Sequence, residues 1–213
     1  MKLCTCPVGT ALPTLDNYSC PADFGQVRRF AVMRLYDDNG NRNSFTSTAP
    51  IGTLASWTAK LAKTDSEKVV ISPDVYGYSE SGGDVITWGS GNEVPGGMPE
   101  VVGANPVTAS GTFRHLPQSM VKKMLPLACE KIGIILISEN GQFEAVQDAS
   151  TATTYYPIPV GSFFIGPKVH GGFQEPDSNA FSFTLAPDWS KDTVIVTPSF
   201  DPLTELANPT PSA

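Results

Sequence analysis

Histidine is nearly absent from this chain: His115 and His170 are the only two in 213 residues, and they stand in unrelated contexts. The motifs that mark common chemistries are absent too. There is no Gly-x-x-x-x-Gly-Lys-Ser/Thr, no Gly-x-Ser-x-Gly, no His-Glu-x-x-His and no pair of Cys-x-x-Cys knuckles. No carboxylate pair stands out by spacing. The expectation is therefore no catalytic residues, no cofactor site and no metal site. Charge is sparse as well, at 16 % of residues against the usual quarter or so. The longest apolar run, Ile132–Ile137, is strand-sized, far short of the roughly 18 residues of a membrane span. Met1-Lys2-Leu3 runs into Cys4-Thr5-Cys6-Pro7 without the apolar stretch of a secretory signal. Cytoplasmic synthesis is the expectation.

What is present is mostly strand sequence. Apolar residues make up 40 %, with eleven Phe, six Tyr and three Trp. Aromatics serve either a Phe-rich core or the buried centre of an interface. The net charge of −7 disfavours a protein that grips nucleic-acid phosphates, since such proteins carry a basic face. The charge is also uneven. Lys2, Arg28, Arg29 and Arg34 outnumber Asp16 and Asp23 before Tyr36, whereas after Leu136 the lysines are Lys168 and Lys191 among a majority of acids. Such ends either face solvent or complement one another between copies. Cys4, Cys6, Cys20 and Cys129 admit a four-thiolate site, buried thiols or a redox staple. The tight Cys-x-Cys spacing favours no metal.

Residues 1–22, with Pro7, Pro13 and Pro21, read as an extended N-terminal arm. The span 23–200 reads as one β-rich domain, and 201–213 as a C-terminal tail. Within the domain, 24–36, 67–72, 107–114, 133–138, 142–147, 159–168, 180–185 and 193–197 read as strands. Asp37–Asn41 and Glu139-Asn140-Gly141 read as hairpin turns. Residues 53–62 repeat Leu54, Trp57 and Leu61 at helical spacing. The clearest helix covers about 117–130, where Pro117 suits the first turn and Met120, Val121, Met124, Leu125 and Ala128 form one stripe. Pro126 should kink or end it. Residues 73–106 hold eight glycines and read as one long loop, ordered only at Asp84–Trp88. The fold class is mainly β: a sandwich or barrel with one flanking helix and a long loop.

Several segments carry a family resemblance: Cys20-Pro21-Ala22-Asp23-Phe24-Gly25-Gln26, Asn41-Arg42-Asn43-Ser44-Phe45, Ala55-Ser56-Trp57-Thr58-Ala59-Lys60-Leu61, Asn92-Glu93-Val94-Pro95-Gly96-Gly97, and Gly171-Gly172-Phe173 followed by Asp188-Trp189-Ser190. In these the chain resembles virion proteins of Bacteroidetes phages and prophages. Its order of elements is similar to that of tail-tube (major tail) proteins of long-tailed phages. The resemblance implies a virion structural protein, made in the bacterial cytoplasm and located in the tail. It implies homo-oligomeric rings of six that stack, other tail proteins as partners, viral DNA passing without specific binding, no membrane and no catalytic residues. An acidic lumen is expected, with Ala180–Leu185 as the simplest lining. The alternatives are a head decoration or fibre-base protein, a collar or adaptor protein, and a carbohydrate-binding sandwich stacking sugars on Trp57, Trp88 and Tyr76.

Overall fold

A computed structural model describes residues 24–207; the N-terminal arm expected over 1–22 and the end of the C-terminal tail lie outside the described residues. The strands are β1 (Val27–Arg34), β2 (Val69–Ile71), β3 (Val75–Gly82), β4 (Val85–Trp88), β5 (Glu100–Ala104), β6 (Val107–Arg114), β7 (Ile132–Ser138), β8 (Phe143–Gln147), β9 (Tyr155–Tyr156), β10 (Ile158–Val169), β11 (Ser178–Leu185) and β12 (Thr193–Val196). The helices are α1 (Leu54–Ala62), α2 (Gln118–Met124) and α3 (Pro202–Glu205). Every strand pairing is antiparallel.

Ten strands form one sheet folded over on itself into a sandwich. The first layer holds β2, β1, β7, β8, β9 and β12, and the second holds β10, β11, β6 and β3. β10 turns the corner: Ile158 and Pro159 pair with Ile134 and Gly133 of β7, and from Val160 onward the strand pairs with β11. Such a strand makes the two layers share one continuous hydrogen-bond network.

The sequence Ile-Gly-Ile-Ile-Leu-Ile of β7 is apolar without alternation because both its faces are covered. Ile132, Ile134 and Leu136 face the second layer, where they meet Phe30, Phe113, Phe163, Phe181 and Phe183. Ile135 and Ile137 face the other way, into a second core with Trp57, Phe45, Phe143 and Leu61. Helix α1 seals that second core. The protein thus has three layers where the sequence suggests two with a helix across them.

The clearest helix of the sequence is shorter than the expected 117–130. Pro126 has no N–H to donate, and the chain tightens into a 3-10 segment over Leu125–Cys129. Val121 and Met124 close one side of the sandwich, while Leu125 and Ala128 of the expected stripe are exposed. The expected tail also begins as structure. Asp201 caps α3 by accepting from the Leu203 N–H, and Leu206 is buried in the second core.

Candidate assembly surface

The expected long loop 73–106 is instead the outer part of a hairpin running from β3 to β6. β3 pairs with β6 from Val75↔Phe113 to Gly82↔Val107, and β4 and β5 continue outward as a separate two-stranded arm. Glycine spacing hides the strands from a periodicity reading, because the glycines sit at the joints. Gly82 has φ +101°, and a Cβ there would lie 2.6 Å from the Pro106 carbonyl oxygen. Only glycine lets the chain leave the sandwich at this point. Two 3-10 turns, Gly91–Glu93 and Pro95–Gly97, form the arm's tip, and Val94 is buried beneath it.

Both faces of the arm are uncovered. Val85, Ile86, Trp88, Met98 and Val101 are exposed, Met98 by 77 %. Scattered exposed apolar residues are ordinary, but a run of them on one two-stranded ribbon is not. The arm also carries Asp84, Glu93 and Glu100, and the sequence holds no Lys, Arg or His from Val69 to Phe113.

The outer face of the second layer is covered by neither helix nor sheet. Its rows are Ser81–Thr108–Thr184, Ser79–Ser110–Ser182 and Tyr76–Thr112–Ala180. The strand offered as an acidic lining, Ala180–Leu185, therefore presents hydroxyls and a methyl outward; its alternate residues Phe181, Phe183 and Leu185 are core. At one end of this face the ring of Tyr76 lies under two guanidinium groups, Arg114 Cζ at 4.4 Å and Arg28 Cζ at 5.1 Å. Asp74 holds Arg28 at 2.9 Å and Arg29 at 2.6 Å.

The open edge between the layers is polar. Tyr78 donates its hydroxyl to Glu80 Oε1 at 2.8 Å, and Thr193 donates to Glu144 Oε1 at 2.9 Å. Burial pushes the Glu144 carboxyl above the ordinary glutamate range; the Thr193 hydrogen bond opposes this and the charge on Glu80 adds to it. Burial, with Glu80 beside it, also drives the Tyr78 phenol far up. At the β10–β11 turn, Asp177 accepts from the Gly171 N–H and lies near His170 and Lys168, which lowers its carboxyl. Phe173 is fully exposed at that tip.

The three aromatics suggested for sugar stacking do not come together. Trp57 has no exposed surface; it stacks on Phe45 and Phe143 and donates its indole N–H to the Ile51 carbonyl at 2.7 Å. The helical spacing of Leu54, Trp57 and Leu61 gave the helix, and the structure puts Trp57 on its buried side. Trp88 stands on the arm and Tyr76 between its arginines. Two open depressions, of about 290 and 480 Å³, are lined by residues around Ile51 and around Pro202; neither contains a His, Cys or Lys. No cluster of His, Cys, Asp or Glu arranged for a metal occurs among the described residues. Cys129 is exposed, and Cys4, Cys6 and Cys20 lie outside them. Among the described residues no helix is long and apolar enough to cross a membrane.

No family model matches the chain, and no curated protein matches it. Solved structures similar to it in part include two from symmetric assemblies. One is the tail of an empty GTA particle computed with helical refinement and C6 symmetry, at 13 % identity and a TM-score of 0.32, covering 53 % of this chain and 77 % of that one. The other is the baseplate of the anti-feeding prophage, 6-fold symmetrised, at 11 % identity and a TM-score of 0.33, covering 86 % of this chain and 100 % of that one. Scores at that level do not establish a common fold.

Proposed function

We propose that this chain is a structural, non-catalytic subunit of a phage virion, and more specifically a tail-tube protein whose copies close into six-membered rings that stack and conduct DNA. The observation that carries the reading is the β4–β5 arm. It projects a ribbon of exposed apolar side chains that its own domain leaves uncovered. An isolated two-stranded ribbon is marginal in water, so its order calls for a surface on another subunit. The resemblance in sequence supplies the choice of the tail. The hydroxyl rows of the second layer's outer face suit a channel wall, because they offer passing phosphates no basic side chain to hold them by counterion release; Arg28 and Arg114 stand together at one end of that face.

The test is electron microscopy and sedimentation of the intact chain beside a variant lacking residues 84–105. The intact chain should form rings or tubes. The variant should stay folded and monomeric, because the deletion leaves the β3–β6 pairing and both cores in place. An intact chain that is monomeric at every concentration, or a deletion variant that still makes tubes, overturns the reading.

A further inference from the structure

We propose that the acidic arm of one copy docks on the Arg28–Tyr76–Arg114 platform of the next copy, head to tail. The inference rests on the assembly reading above and names the partner surface within it.

The two surfaces are complementary in charge. The arm carries Glu93 and Glu100 with no base of its own, and neither carboxylate has an ion-pair partner among the described residues. The platform carries two guanidinium groups on one aromatic ring. Asp74 neutralises Arg28 in part, while Arg114 is exposed and has no acidic partner among the described residues. Guanidinium groups stacked on a ring are pre-oriented and weakly hydrated, which suits them to take carboxylates from a partner. The exposed apolar side chains of the arm, Trp88 and Met98 among them, supply the contact area that ion pairs alone lack.

The topology fixes the direction. The platform lies where Tyr76 pairs with Thr112, and the arm leaves where Gly82 pairs with Val107. Five residues of β6 separate these rows, about 17 Å. Donor and acceptor therefore occupy opposite ends of the same two strands. A contact joining them uses different patches on the two partners, so it is heterologous: it closes into a ring where the rotation between copies closes, and otherwise leaves a free arm and a free platform at the ends of an open stack. Either way it extends beyond a pair.

Charge reversal in the full-length chain tests this. Arg114→Glu leaves the Asp74 ion pairs intact, and an unchanged thermal melt confirms the fold. The concentration needed for half-assembly, read by sedimentation, should rise at least tenfold. Glu93→Lys with Glu100→Lys should do the same, and combining the arm and platform reversals should restore most of the lost assembly. Added salt should weaken wild-type assembly. Mixing the Arg114→Glu variant with the 84–105 deletion should give pairs that join once and do not extend. The proposal falls if Arg114→Glu assembles at the wild-type concentration, or if the combined reversal is no better than either alone. If Arg114→Glu assembles normally but loses retention of duplex DNA, the platform is a phosphate site instead. A deletion variant that fails while Arg114→Glu assembles leaves the assembly reading standing and removes only this contact. A monomeric wild type removes both.

Discussion

The indole of Trp57 lies on the ring of Phe143, centroids 4.7 Å apart and planes 25° apart, and this pair joins helix α1 to the outer face of the first layer. Phe45 packs on the same indole, also with centroids 4.7 Å apart and planes tilted by 36°. Trp57→Ala should cost about 3–5 kcal/mol, the range for removing a large buried aromatic. Trp57→Phe should cost less, about 1–3 kcal/mol, because the stack survives but the Ile51 carbonyl loses its donor. Urea denaturation checks both. A Trp57→Ala variant of wild-type stability would mean that α1 does not hold the second core.

Gly111 lets Phe113 and Phe181 stack at 4.6 Å. A Cβ at Gly111 would stand 2.8 Å from the Phe181 ring. Gly111→Ala should destabilise by about 1–3 kcal/mol through overpacking, despite the higher strand propensity of alanine. A stabilised variant would show that the ring shifts freely, which close packing argues against.

Glu144 sets a pH dependence with a definite sign. Burial raises its carboxyl in the folded chain. As pH rises past the ordinary glutamate value, the unfolded chain releases its proton first, and stability falls. The penalty is absent well below that value and complete above the raised one. Glu144→Gln should therefore be more stable than wild type at neutral pH, with the advantage shrinking to nothing on acidification. Denaturant midpoints across pH 3–8 or so give the comparison. An advantage that grew at low pH would reverse the assignment.

Folding should require no metal. The thiols lack the paired spacing of zinc knuckles. Elemental analysis should find no stoichiometric zinc, and chelation should leave the thermal midpoint where it was. A loss of structure on chelation would reassign the cysteines as ligands.

Much of the fold was legible along the chain because its signals are local. β6 runs over Val107–Arg114 as the alternation indicates, and the Asn-Gly turns at Gly40 and Gly141 have the positive φ that such turns need. Pro126 marked the end of its helix by removing a donor. The continuous run at Ile132–Ile137 reads as strand-sized along the chain; that both its faces are buried came from the structure. The arm was misread because glycine at strand ends looks like glycine in a loop until a partner strand is in place. The Leu206 anchor was missed because Leu203 and Leu206, two leucines in a short polar tail, are too few to set a period.

By itself, then, the sequence determined the low charge, the turns and most of the strands outside the 73–106 segment, since each depends on residues near one another in the chain. The tertiary structure alone decided that Trp57 is core, not a sugar platform, because its environment comes from Phe45 and Phe143, far away in sequence. It alone placed Arg28 and Arg114 on one ring and set the acidic arm at the other end of the same hairpin. Charge complementarity between surfaces depends on where strands lie in space, and register, fixed by which faces must be buried, is what puts them there.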